Sequence, residues 1–291
     1  MLRRVFVVTL VLAVLASPAT AGIAPGPILS AAPSHYVTVD GARVHYKSVG
    51  KGRSTIVFIH GWGGDLNVWR EQVAALHAKA RLILIDLPGH GRSDKPSSYS
   101  MRGFAKAVNA VLKHENVDNA VLVGHSMGGL VVSTVDRIYP ARSRAVVTVD
   151  APLRYVFTPE SAKSFVDQFR GDDYQAHVGK FFDFLLAKAT PEIRDDVKSA
   201  ALATPHEVLV GAMESFVDPA AWTEEKMSVP LLCVVAASPN WTPQYEEFVR
   251  ALSPEVTYVT IDNADHFLMI DTPKAFNEPL LRFLAAHHWI R

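Results

Sequence analysis

Apolar and polar positions alternate only at the start of the folded part of the chain. In HYVTVD (35–40) and RVHYKSV (43–49) the period is two, and the pair flanks Asp40-Gly41, a strong two-residue hairpin signal. After that the apolar positions run solid instead of alternating. STIVFIH (54–60), RLILID (81–86), AVLVG (120–124), RAVVTVD (144–150), PLLCVVA (230–236) and VTYVTID (256–262) read as strands buried on both faces. Segments of helical character separate them: 66–78, 101–114, 128–139, 244–252 and 272–287. Solid strands alternating with helices predict an α/β fold, a mostly parallel eight-stranded sheet with flanking helices.

The alternation stops after the sixth strand. Residues 152–227 contain no convincing strand and read as several helices, punctuated by Pro159, Gly171, Pro191 and Pro205. A helical insertion this late predicts a cap over the carboxyl edge of the sheet, with the core made from 35–151 and 228–291.

The first 21 residues follow another logic. MLRR is basic, the next 12 residues are continuously apolar, and SPATA ends with Ala19-Thr20-Ala21 in A-x-A register. This is the layout of a secretory signal peptide cleaved before Gly22. The apolar run is too short for a stable membrane anchor, which needs roughly 20 residues. A secreted or periplasmic protein is therefore expected, with 22–34, rich in small residues and proline, as a flexible lead-in. Formal charge is zero, with 29 basic and 29 acidic residues; nothing favours nucleic acid or an anionic membrane as partner. Cys233 is the only cysteine, so no intramolecular disulfide is possible.

Chemistry concentrates where strands end. Gly124-His125-Ser126-Met127-Gly128 matches G-x-S-x-G after a strand and at the start of a helix, the context this motif requires. Ser126 is the expected nucleophile. Its hydroxyl attacks well only if a base removes the proton. Of twelve histidines, His266 lies in IDNADHFLMID (261–271), between the last strand and the last helix, where it can reach that edge. His60 and His90 are expected to bond backbone as loop organisers. Charge developing on a substrate oxygen needs backbone donors, each contributing about 3 kcal/mol. The amide of Met127, directly after the nucleophile, is one expected donor. The glycine-rich HGWGGD loop (60–65) offers the amide of Trp62 as the second.

HGWGG, DLPGHGRSDKP (86–96), GHSMGG and NADHF, in this order and over most of the chain, resemble the α/β-hydrolase superfamily, in particular its capped esterase-like and epoxide-hydrolase-like enzymes. The resemblance implies the α/β-hydrolase fold and no metal or organic cofactor. It also implies a triad acid, for which the usual place after the strand following the cap reads VVAASPNWTP (234–243), without a carboxylate until Glu246. Asn240 stands nearest and cannot carry the charge. Some relatives place the acid after the strand that follows the nucleophile's helix, here Asp150; Asp262, Asp265, Glu246 or no acid at all are the alternatives. A serine where epoxide-opening and halide-displacing relatives carry aspartate points to acyl transfer. Asp86 and Asp94 are expected to order loops.

The cap region holds half of the 14 phenylalanines, which predicts an apolar roof. Trp62, Phe157, Phe182, Trp222 and Trp241 are the expected substrate contacts, and no cationic cluster marks a phosphate or carboxylate site. The expected function is hydrolysis of esters or lactones of small, largely apolar molecules through an acyl-enzyme. The same triad also suits carbon–carbon bond hydrolysis or cofactor-free perhydrolysis. A different class, a receptor or ligand-binding protein on a hydrolase fold, would bind and turn over poorly.

Overall fold

The computed structural model describes residues 22–291; the expected signal peptide lies outside them. A short helix α1 (Pro27–Ala31) precedes the hairpin β1 (His35–Val39) and β2 (Ala42–Val49), followed by β3 (Thr55–Ile59), α2 (Arg70–Leu76), β4 (Arg81–Ile85), α3 (Met101–His114), β5 (Ala120–His125), α4 (Met127–Ile138) and β6 (Ser143–Val149). Four helices come next: α5 (Pro159–Asp167), α6 (Tyr174–Leu185), α7 (Pro191–Ala203) and α8 (His206–Val217). The chain then returns through β7 (Leu231–Ala236), α9 (Pro243–Ala251), β8 (Val256–Ile261), α10 (Leu268–Asp271) and α11 (Pro273–Ala286).

One sheet of eight strands has the order β1-β2-β4-β3-β5-β6-β7-β8. The β1/β2 and β2/β4 pairs are antiparallel and all others parallel. The central strands are buried along almost their whole length, as unbroken Val/Ile/Leu runs require. The register matters for function. His125 pairs Val149, which pairs Val234, so β5 and β6 finish side by side, two residues short of the end of β7. The ladder runs one step past them: the Ser126 amide donates to Val149 O at 3.0 Å and the Asp150 amide to Val234 O at 2.8 Å. Any side chain leaving these strand ends faces the same edge.

The prolines of the inserted region open helices rather than interrupt them. Pro159 and Pro191 occupy first helical positions, where the missing N–H has no intrahelical partner to lose. Each follows a threonine cap, Thr158 in a reciprocal box with Ser161 and Thr190 accepting from the Ile193 amide at 3.4 Å. The insertion is seated on the core by polar contacts as well as aromatic ones. The indole N–H of Trp62 donates to Leu209 O at 2.8 Å, and the carboxylate of Asp265 accepts from the amides of Lys188 and Ala189.

The lead-in makes specific contacts with the rest of the chain. Residues 22–32 are docked, not loose: Ile23 and Leu29 are buried in the core, and the buried ammonium of Lys47 donates to the carbonyls of Leu29 and Ala32. Composition rich in small residues and proline hid two apolar anchors. The Ile23 amide donates to Asp65 at 3.1 Å, and the Ala24 amide to Asp196 of α7 at 2.7 Å, so this segment touches both the core and the insertion. No helix among the described residues is long and apolar enough to cross a membrane.

Candidate active site

Ser126 stands between β5 and α4 with φ 52° and ψ −120°, a conformation costly for a residue with a Cβ. The strain follows from the tightness of the turn. A side chain at position 124 would strike the backbone of Gly128, and one at 128 would strike the carbonyls of Ile59 and His60. Glycine at both places lets strand and helix approach closely enough to thrust the serine outward. The α4 helix directs its positive dipole end at the same spot. The HGWGGD loop comes close: a Cβ on Gly61 would lie 3.0 Å from that of Ser126. Among the described residues, the amides of Trp62 and Met127 have no hydrogen-bond acceptor.

His266 lies in the loop between β8 and α10. Its Nδ1 meets Oδ2 of Asp150 at 2.7 Å, and both residues are largely buried. A carboxylate acceptor at Nδ1 places the proton there and leaves Nε2 as the basic nitrogen. Asp150 has φ 44°, a left-handed turn immediately past β6 that swings its side chain toward β7 and the histidine. Its other oxygen, Oδ1, accepts from the Ala236 amide and from the Trp241 indole N–H, each at 2.9 Å. The segment that lacks an acid thus donates to the acid supplied by the neighbouring strand. Asn240 is exposed and bonds only to Ser238. Glu246 pairs with Arg250, and Asp265 binds Lys188 and Ala189, so neither faces the imidazole.

His125 is fully buried under the histidine loop. Its Nε2 donates to His266 O at 2.9 Å and its ring lies 4.6 Å from that of His266. Burial, reinforced by the nearby His266, pushes its pKa well below the usual histidine value, so it is a neutral prop. His60 accepts from the Leu87 amide at 3.0 Å and bonds Gly61 O through Nδ1, also neutral through burial. Burial likewise pushes His90 down to about 3. Burial alone would raise the Asp86 carboxyl, but a 2.7 Å bond to His45 and the amides of Leu66 and Arg92 hold it below the usual range. Asp94 pairs with Arg43 across an exposed loop.

Ser126 and His266 open into a narrow cavity of about 60 Å³. Trp62, His125, Met127, Phe165, Phe181, Phe182, Leu185, Met213, Phe216 and Phe267 complete its wall. Of the residues expected to meet substrate, Trp62 and Phe182 line it. Three do not. Phe157 packs outside, stacked on Phe165, and Trp222 closes on Phe216 and Tyr155 in the inserted region's own aromatic cluster. Trp241 holds Asp150 instead. Aromatic composition alone could not tell lining from packing. Phe181 and Phe182 both touch Trp62, and only the geometry of α6 distinguishes them from the exposed Phe184 on the same helix. Phe267 carried a readable signal, its adjacency to His266.

A mostly parallel sheet whose central strand ends in a strained serine, with an imidazole–carboxylate pair and free amides at one edge, defines a hydrolase class. The chain belongs to the α/β-hydrolase family: the family model described as alpha/beta hydrolase fold matches residues 54–273. Among curated relatives, a pimeloyl-[acyl-carrier protein] methyl ester esterase of Klebsiella pneumoniae (strain 342) is 30% identical over 254 residues, 82% of this chain and 96% of that one. Among solved structures, Est816, an N-acyl homoserine lactone degrading enzyme, superposes with a TM-score of 0.73 at 26% identity, covering 86% of this chain and all of that one. A thermophilic esterase from Thermogutta terrifontis gives 0.79 at 22% identity, over 88% of this chain and 100% of that one, and shares the fold.

Proposed function

We propose that the protein is a carboxylic ester hydrolase in which Ser126 is the nucleophile, His266 the general base and Asp150 the acid. The observation that carries this reading is the 2.7 Å bond from His266 to Asp150 at the cavity into which Ser126 opens. The Ser126 hydroxyl attacks the ester carbonyl carbon as its proton passes to Nε2 of His266. The carbonyl oxygen becomes an oxyanion between the amides of Met127 and Trp62, and Asp150 supports the imidazolium. Collapse breaks the bond to the alkoxy oxygen, which leaves with the proton from His266. Water then repeats the sequence on the acyl-enzyme and frees the acid and Ser126.

Substrates are esters or lactones of small, largely apolar molecules. The aromatic, narrow wall supports this, and no Lys, Arg, Asp or Glu lines the cavity. The relatives named as a methyl ester esterase and a lactone-degrading enzyme point the same way. Export with removal of residues 1–21 is part of the proposal and rests on the sequence pattern; amino-terminal sequencing of the exported protein tests it. Turnover of p-nitrophenyl butyrate by the wild type, absent in Ser126→Ala, tests the chemistry. Equal rates in the two proteins, or none in either, would refute it.

A further inference from the structure

We infer that Trp241 is a positioning residue, whose indole N–H holds the Asp150 carboxylate in the orientation that His266 needs. This rests on the triad reading above. The acid sits on a left-handed residue just beyond a strand, with a rotatable carboxylate that has two oxygens to satisfy. Only Oδ2 faces His266. Oδ1 takes two donors on the far side, one fixed by the β7 backbone at Ala236 and one supplied by a side chain, Trp241. The three bonds together fix the plane of the carboxylate, and with it the tilt of the imidazole.

The indole is itself held. Its ring packs on Tyr245 at 4.9 Å, and the Tyr245 hydroxyl donates to Ala151 O at 2.9 Å while accepting from the Leu153 amide at 3.1 Å. Trp241 and the backbone following Asp150 are therefore anchored to one another through α9. An acid on β6 draws its second donor from the β7 loop, so the two strand ends act as one unit. Trp241 does not line the cavity.

Trp241→Phe keeps an aromatic ring and removes the donor. With one donor lost, charge on Asp150 is less dispersed and favours the imidazolium more strongly. The acidic limb of kcat/KM should move up by about half a pH unit. Misorientation should lower kcat about ten-fold while KM stays within about two-fold, since a displaced group costs rate rather than binding. Tyr245→Phe removes the hydroxyl bonds but leaves the indole N–H, and should give a smaller loss of the same kind. A second measurement needs no variant of Trp241. In 15N-labelled wild type, one indole resonance should shift strongly in Asp150→Asn, the other four indoles staying put. A wild-type pH profile and kcat in Trp241→Phe, or no indole shift in Asp150→Asn, would overturn the assignment. The triad reading fails separately, if Asp150→Asn itself retains full activity.

Discussion

The carboxyl edge of the core and the roof above it are built on different terms. At the edge, three groups leave the ends of buried strands and are placed by sheet register: Ser126 after β5, Asp150 after β6, the Ala236 amide at the end of β7; His266 comes from the loop after β8. In the roof, four helices offer phenylalanines in several directions, and the same residue type serves as wall, as packing and as exposed surface. Phe182 is buried against Trp62, Phe157 packs outside the cavity, and Phe184 is 74% exposed. On the proposed function, chemistry resides where backbone geometry is fixed, and selectivity where side-chain packing is. Substitutions should therefore separate into two kinds, those that abolish turnover at the edge and those that retune substrate choice in the roof.

Loss of the proposed nucleophile should have the largest effect. Ser126→Ala is expected to lower kcat by about six orders of magnitude, the scale seen when a serine nucleophile is deleted. Circular dichroism should show the fold intact, and the thermal midpoint should not fall, since alanine carries no more strain at φ 52° than serine does. Next comes the acid: Asp150→Asn should cost about 10⁴ in kcat by favouring the wrong imidazole tautomer. Asn240→Ala, on an exposed residue bonded only to Ser238, should leave turnover within about two-fold. A large loss in Asn240→Ala would erase the distinction between edge and surroundings.

Much of that edge was legible in the sequence. Short-range spacing specifies a strand–Ser–helix turn because only glycine fits at 124 and 128. His266 followed from its place after the last strand. Asp150 needed the family resemblance, because a carboxylate at a strand end is common and its partner is 116 residues away. Trp241, expected as a substrate contact, bonds Asp150 and does not line the cavity: a loop tryptophan near a site advertises a ring, and nothing local reveals that its N–H points at an acid. The burial of Ile23 and Leu29 in the lead-in is hidden for a related reason, since both find their partners in distant elements. Long-range pairing leaves no periodic trace.

The roof offers a third test. Phe182→Ala removes a fully buried ring from the cavity wall and should destabilise by about 3–5 kcal/mol while admitting longer acyl chains. Phe157→Ala, on a half-buried ring outside the cavity, should cost about 1–2 kcal/mol and leave chain-length preference unchanged. Denaturant midpoints and a series of p-nitrophenyl esters from acetate to octanoate read the two effects separately. A shifted preference in Phe157→Ala would mean that the wall extends further than the cavity describes.

The smallest effect should come from Asp65, which closes the oxyanion-side loop and accepts the amides of Asn67 at 2.8 Å and Ile23 at 3.1 Å. Burial, reinforced by the charge of Asp86, pushes its pKa up to about 7 despite those donors. The sign follows from linkage. Below the ordinary carboxyl value of 3.8 both folded and unfolded chains hold the proton, and Asp65 adds no pH dependence. Between there and about 7 the unfolded chain gives up its proton while the folded one keeps it, so stability falls as pH rises. Above about 7 both are ionised and the penalty is constant. Asp65→Asn keeps the acceptor oxygen for the Asn67 amide and has no charge to bury. The thermal midpoint of the wild type should therefore decline relative to that of Asp65→Asn from pH 4 to pH 7, then run parallel to it. Parallel curves throughout would show that the donors from Ile23 and Asn67 already hold this carboxylate ionised, and that the oxyanion loop is fixed independently of pH.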